Sequence, residues 1–268
     1  MQIINIAGYK FLPLTDLVEL QSSLLAEATL QDCKGTILLS SEGINVNLAG
    51  LPDNIAAFKT FLLADSRFAD MTFRESFSSS QPFKLMKVKL KQEIITMHQP
   101  EVRPEISRAP SISPNEFKQW LDEKRDITVL DTRNDYEVRF GTFETAEHFQ
   151  LADFGEFPAA TTTLREDKPV VMFCTGGIRC EKAAVYLLNA GFPEVYQLDG
   201  GILNYFSEVG GAHYSGECFV FDQRVSVNPQ LQETGAMQCI ACQGPVSVEQ
   251  QASPEFVIGV SCPTCVSA

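Results

Sequence analysis

The chain has 268 residues, 44% of them hydrophobic, and a formal net charge of −13. No apolar run approaches the ~18 residues of a membrane span, and the first residues lack a basic segment followed by a long apolar stretch, so no membrane is expected and a cytoplasmic location is. An acidic chain also excludes nucleic-acid binding by bulk charge, though not by a local basic patch.

Residues 1–95 read as strand, helix, strand, strand, helix, strand. The first strand is 2–8. Apolar spacing at Leu14, Leu17, Val18, Leu20, Leu24 and Leu25 predicts a helix over 14–28. Strands at 36–39 and 44–48 flank a turn that carries Gly43, and Pro52 suits the first turn of a helix reaching 63. A last strand is expected at 83–90. The order βαββαβ predicts a ferredoxin-like sandwich, a fold that does not by itself specify function. The aromatic run of an RNA-recognition sheet is missing; Val46 and Leu48 stand where stacking rings would be useful. This region either contacts RNA through the stripe Lys84, Lys87, Lys89 and Lys91, or packs over a pocket formed by the rest of the chain.

Pro100, Pro104 and Pro110 with mixed charges mark a linker at 96–112. A second domain is expected over 113–211. Ser113, Pro114 and Glu116 form a helix start. Strands at 127–130, 170–173 and 195–198 alternate with helices, which predicts a parallel α/β sheet. No clear periodicity appears at 150–163. Residues 212–268 form a cysteine-rich tail with little helix signal.

The segment Cys174-Thr-Gly-Gly-Ile-Arg-Cys180 joins a buried strand to a helix. Its glycines allow successive N–H groups to form an anion nest, and the following helix adds its positive end. Both favour a thiolate, the reactive form of cysteine. Cys174 is the candidate nucleophile and Arg179 its fixed positive charge. The N–H groups of Thr175, Gly176, Gly177 and Ile178 are candidates for holding negative charge on a substrate. Cys180 is either a resolving thiol for an oxidised Cys174 or a small packed residue. Arg139 and Lys182 lie either on a solvated surface or against RNA phosphate. Cysteine-dependent phosphatases place their arginine at the sixth position after the cysteine; here it stands at the fifth. The shorter loop resembles that of rhodaneses, which hold a persulfide sulfur.

Cys239-Ile-Ala-Cys242 and Cys262-Pro-Thr-Cys265 are two C-x-x-C turns with 19 residues between them. Two such pairs complete a tetrahedral Zn²⁺ site, and four thiolates leave no open position, so the zinc is expected to be structural.

The resemblance extends beyond the loop. The run from Asp131 through Arg133 to Glu137 is similar to the rhodanese Asp-x-Arg-x-x-x-Glu segment, and Leu198-Asp-Gly-Gly-Ile202 to that fold's strand-to-helix turn. Asp131 and Arg133 either tie the strand end to the loop as a charge pair, or Arg133 contacts substrate. Glu42-Gly-Ile-Asn45, the Cys174 loop, the run from Gly216 to Val225 and the double C-x-x-C occur in this order. Together they resemble the rhodanese-family tRNA uridine 5-hydroxylases. The resemblance implies O₂-dependent hydroxylation of the wobble uridine in the tRNA anticodon loop, centred on Cys174. No metal-ligand set with an open position is visible in the sequence, so no catalytic metal is expected. The residues alone support thiol or persulfide chemistry. Sulfur transfer from Cys174, or a non-catalytic recruiting module, are the competing readings.

Overall fold

The computed structural model describes residues 2–165 and 167–266. Its first unit runs β1 (Ile3–Phe11), α1 (Leu17–Leu30), β2 (Lys34–Ser40), β3 (Gly43–Gly50), α2 (Pro52–Ala64), β4 (Arg74–Ser78) and β5 (Met86–Leu90). The sheet order is β4-β1-β3-β2-β5, antiparallel except where β5 joins β2 in parallel. Alternation along each strand sorts the residues. Ile6, Ile37, Leu39, Ile44, Val46 and Leu48 face α1 and α2 and form the core with Leu24, Phe58 and Leu62. The opposite face, turned away from α1 and α2, carries Asn5, Tyr9, Asn45 and Asn47.

Two expectations change here. The strand that closes the ferredoxin-like sandwich is β4, not 83–90. Arg74-Glu-Ser-Phe-Ser78 is polar and pairs only at its β1 side, so it has no apolar alternation to read. The residues expected at 83–90 shorten to β5 and add a fifth strand at the other edge. Val46 and Leu48 are fully buried under the helices, so the positions facing out belong to Asn45 and Asn47 instead.

The segment 96–112 is strapped down rather than free: Met97, Val102 and Ala109 are buried in the core of the second unit. That unit contains β6 (Ser111–Ile112), α3 (Pro114–Asp122), β7 (Thr128–Asp131), α4 (Asp135–Val138), β8 (Gly141–Phe143), β9 (Ala146–His148), α5 (Phe157–Ala160), β10 (Val170–Phe173), α6 (Ile178–Asn189), β11 (Val195–Leu198) and α7 (Gly201–Val209). Ser113 caps α3, its hydroxyl accepting from the Glu116 N–H. The sheet β6-β11-β10-β7-β9 is parallel throughout. Its central strands are buried on both faces, as a parallel sheet between helix layers requires. The aperiodic 150–163 stretch folds as α5 between two 3₁₀ turns.

Beyond α7, β12 (Tyr214–Gly216) pairs with β8, and β13 (Cys218–Phe219) with β14 (Ser226–Val227). Tyr214, Cys218, Val220 and Val227 pack into the same core as β10 and α7. The end of the chain is a hairpin of β15 (Met237–Gln238) and β16 (Pro245–Val246), then α8 (Val248–Gln251) and α9 (Pro263–Val266).

Candidate active site and cysteine cluster

Strand β10 delivers Cys174 to the carboxyl end of the parallel sheet, and four residues later α6 begins. The turn is made possible by Gly177, at φ 99°, a left-handed conformation. Its N–H donates to Cys174 Sγ at 3.1 Å. From behind, the start of α7 holds the loop. The Ile202 N–H donates to the Cys174 carbonyl at 2.9 Å, and the Leu203 N–H to that of Thr175 at 3.1 Å. This approach needs Gly201, where a Cβ would lie 2.3 Å from the Cys174 carbonyl oxygen. The Gly200-Gly201 pair is therefore the rear wall of the loop.

Cys174 is 1% exposed. Burial alone would favour its thiol. The Cys180 thiol hydrogen-bonded to it, the Arg179 charge, and the N–H groups of Arg179 and Gly177 outweigh burial and bring Cys174 down to about 5. Burial and the neighbouring thiolate push Cys180 the other way, well above an ordinary thiol, so it remains the proton donor of the pair. The Thr132 hydroxyl lies 3.6 Å from its sulfur.

Arg179 forms a bidentate pair with Glu137, at 2.5 and 2.8 Å. Glu137 is fully buried, and its carboxylate also accepts from the Asn134 N–H that starts α4. Arg179 therefore stands between the Glu137 carboxylate and the Cys174 sulfur. Arg133 sits elsewhere. Fully buried, it pairs with Asp131 at 2.6 Å and donates to the Gly141 carbonyl at 2.6 Å. It ties the end of β7 to β8 and does not line the cleft.

The cleft lies between the open face of the first sheet and the Cys174 loop, with a volume of about 970 Å³. Cys174, Thr175, Gly176, Ile178 and Arg179 line it from the second unit. Gly177 lies within the same loop. The roof residues were not anticipated. Tyr9, Asn45 and Asn47 come from the first unit, and Phe221 from beyond α7. The Tyr9 hydroxyl donates to Glu181 at 3.3 Å, and a Cβ on Gly177 would approach it to 2.8 Å. Burial and then the Glu181 carboxylate hold the Tyr9 phenol well above its ordinary value, so it stays protonated. One signal was available. In β1 and β3, Asn5, Tyr9, Asn45 and Asn47 alternate with core residues, which marks a sheet face that looks onto something polar.

Lys182 is not a surface cation. It is 1% exposed and pairs with Glu93 at 2.6 Å and Glu42 at 2.8 Å, and donates to the Ile95 carbonyl. Arg139 donates to the Cys242 carbonyl at 2.7 Å and so anchors the tail.

In that tail the sulfurs of Cys239, Cys242, Cys262 and Cys265 all lie within 4.8 Å of one another. Three pairs are spaced at 4.0, 3.7 and 3.7 Å. A tetrahedron of thiolates around an ion at about 2.3 Å has edges of about 3.8 Å. The group can hold a metal ion.

A parallel sheet that presents a cysteine-glycine loop, backed by a second glycine turn, defines a rhodanese-type domain. The family model described as rhodanese-like domain matches residues 113–208, and that described as UPF0176 acylphosphatase like domain matches 3–94. Over nearly the full chain the relatives are more specific. A Cupriavidus taiwanensis protein named tRNA uridine(34) hydroxylase is 52% identical over 274 residues, covering 99% of this chain and 97% of its own. A Ralstonia nicotianae protein of the same name is 49% identical over 273 residues, covering 99% and 97%. The chain belongs to the tRNA uridine(34) hydroxylase family.

Proposed function

We propose that this chain hydroxylates C5 of the wobble uridine, position 34, in the anticodon loop of tRNA, using O₂, with Cys174 at the reacting centre. The observation that carries the reading is the Cys174 loop, held as a thiolate in a cleft roofed by the first sheet, in a chain about half identical to named hydroxylases from end to end. An anticodon-loop base unstacks at low cost, which a buried nucleophile demands. The N–H groups of Thr175 to Ile178 then face the charge that develops on the base, with Arg179 behind them. Hydroxylation places one oxygen atom on carbon and releases the other as water, which consumes two electrons and two protons. Joining the Cys174 thiolate to the Cys180 thiol as a disulfide releases the two electrons and one proton, the second proton comes from solvent, and an external thiol reduces the pair again; Cys180 is the resolving thiol in this reading. Substrate-contact roles fall to the loop N–H groups, not to Arg133.

The four tail cysteines would hold Zn²⁺ as a structural ion; its chemistry there is to bind the two C-x-x-C turns together. The protein would work in the cytoplasm, on tRNA.

Mass spectrometry of tRNA nucleosides from a strain lacking this protein tests the reading. Loss of 5-hydroxyuridine derivatives, restored by the wild type but not by Cys174→Ser, is the expected result. Loss of thiolated nucleosides instead would establish sulfur transfer. Unchanged nucleosides of both kinds would leave only a recruiting role. Incorporation of ¹⁸O from labelled O₂ checks the oxygen source.

A further inference from the structure

Residues 84–91 hold four lysines and no acid, in a chain of net charge −13. Lys84, Lys87, Lys89 and Lys91 are all exposed, and among the described residues none of them forms an ion pair. The parallel register of β5 on β2 sets Lys87 beside Thr36 and Lys89 beside Leu38. Val88, between them, packs into the helix-side core. Thr36 and Leu38 line the cleft. Lys87 and Lys89 therefore extend the cleft's own face by one strand.

The register continues across the sheet. One row runs Lys87, Thr36, Asn47, Ala7, Arg74. The next runs Lys89, Leu38, Asn45, Tyr9. At about 4.8 Å between strands, the first row spans about 19 Å. Among the described residues it carries a lysine free of ion pairs at one end and Arg74, paired with Asp199 at 3.4 Å, at the other, with amide and hydroxyl groups between. The second leads from a lysine to the tyrosine that touches the Cys174 loop. Neither row contains an acid. At the far side of the cleft Phe221, 58% exposed, lies with its ring 5.9 Å from the Arg179 guanidinium and offers a π-face to an unstacked base.

Resting on the tRNA reading above, we infer that the open sheet face is the track of the substrate's single-stranded loop. Lys87 and Lys89 neutralise its phosphates, and the Asn45 and Asn47 amides meet its polar edges on the way to Cys174. The alternating cations and uncharged hydrogen-bonding groups fit a flexible polyanion whose bases also need partners. The cleft volume is at the top of the roughly 300–1,000 Å³ of small-molecule sites, room for more than one nucleotide.

The test measures binding of unmodified tRNA from about 50 to 200 mM salt. It compares wild type, Lys87→Ala/Lys89→Ala, Lys87→Arg/Lys89→Arg, and Lys118→Ala on α3 as a control for bulk charge. Hydroxylation at saturating tRNA is read in parallel. The alanine pair should bind about tenfold more weakly, with a log–log salt slope shallower by about 1.4, roughly 0.7 per phosphate on a single strand. The arginine pair and Lys118→Ala should match wild type, and saturating tRNA should restore product to the alanine pair. An alanine pair with wild-type affinity and slope, beside a wild type that binds and hydroxylates, overturns the track alone. A wild type that binds no tRNA overturns the functional reading, and the track with it.

Discussion

Arg179 faces two anions at once, and the balance between them sets the chemistry of Cys174. Its pairing with Glu137 is buried, so neither partner is readily removed. Arg179→Ala leaves Glu137 as an unpaired buried carboxylate, and the urea midpoint should fall by the equivalent of roughly 3–5 kcal/mol. Cys174 can be titrated directly by the rate of iodoacetamide alkylation, read on its peptide by mass spectrometry. The rate should stay level down to about pH 6 and fall as pH drops through about 5. An ordinary thiol near 8.5 would already be losing reactivity above pH 8. The linkage has the same sign. Because folding lowers this group, its stabilisation is complete above the unfolded thiol value and is lost as pH falls through about 5. Cys174, Arg179 and the glycines were legible because they lie within seven residues. Glu137 was visible only as part of a motif, and its pairing with Arg179 was not. Tyr9 was legible only as one polar position on an alternating strand, since its contact with Glu181 spans 172 positions and depends on how two units dock.

Among the elements, those with strong patterning were legible and the edges were not. The strand-helix alternation of the second unit and the two helices of the first follow from apolar spacing. β4 escaped because an edge strand with one neighbour needs no apolar alternation, and the lysine-rich run at 83–90 mimicked the missing strand. The cysteine hairpin was legible for a different reason: its spacing encodes ligand geometry directly. Its packed cluster consists of the four cysteines with Val246, Met237 and Phe256. With so small a core, a metal held as proposed above would be the main source of folding energy there. Cys239→Ser should reduce zinc from one per chain to none. Amide protection at Met237, Gln238 and Val246 should vanish, while that of β1 and β10 is retained. A chelator should reproduce the effect in the wild type. Hydrogen exchange with metal analysis checks both.

For the molecule as a whole, the cleft exists only while its two walls are docked, and Lys182 is the clasp. It grips Glu42 on the β2–β3 turn and Glu93 just after β5 from a position on α6, the helix that begins at the reactive loop. Lys182→Met should cost about 3 kcal/mol, because two half-enclosed carboxylates lose their cation. The single tryptophan, Trp120 on α3, reports on the second unit alone, whereas far-UV circular dichroism reports on both. In the wild type the two urea transitions should coincide; in Lys182→Met they should separate. Coincident transitions in the variant would show that the clasp adds nothing to docking. None of this was legible, because a lysine one helical turn past a reactive loop reads as a surface charge until the chain folds back over it.

The order of the two walls along the chain has a consequence during synthesis. The sheet that forms most of the roof is complete once β5 is made, about 80 residues before Cys174, a lead of roughly 4–16 s at 5–20 residues per second. A small sandwich with local hairpins folds well within that interval. The nascent thiol therefore emerges toward a shield that has already formed, and the interval in which a low-pKa sulfur stands open to oxidants is confined to the closing of a single α/β sheet.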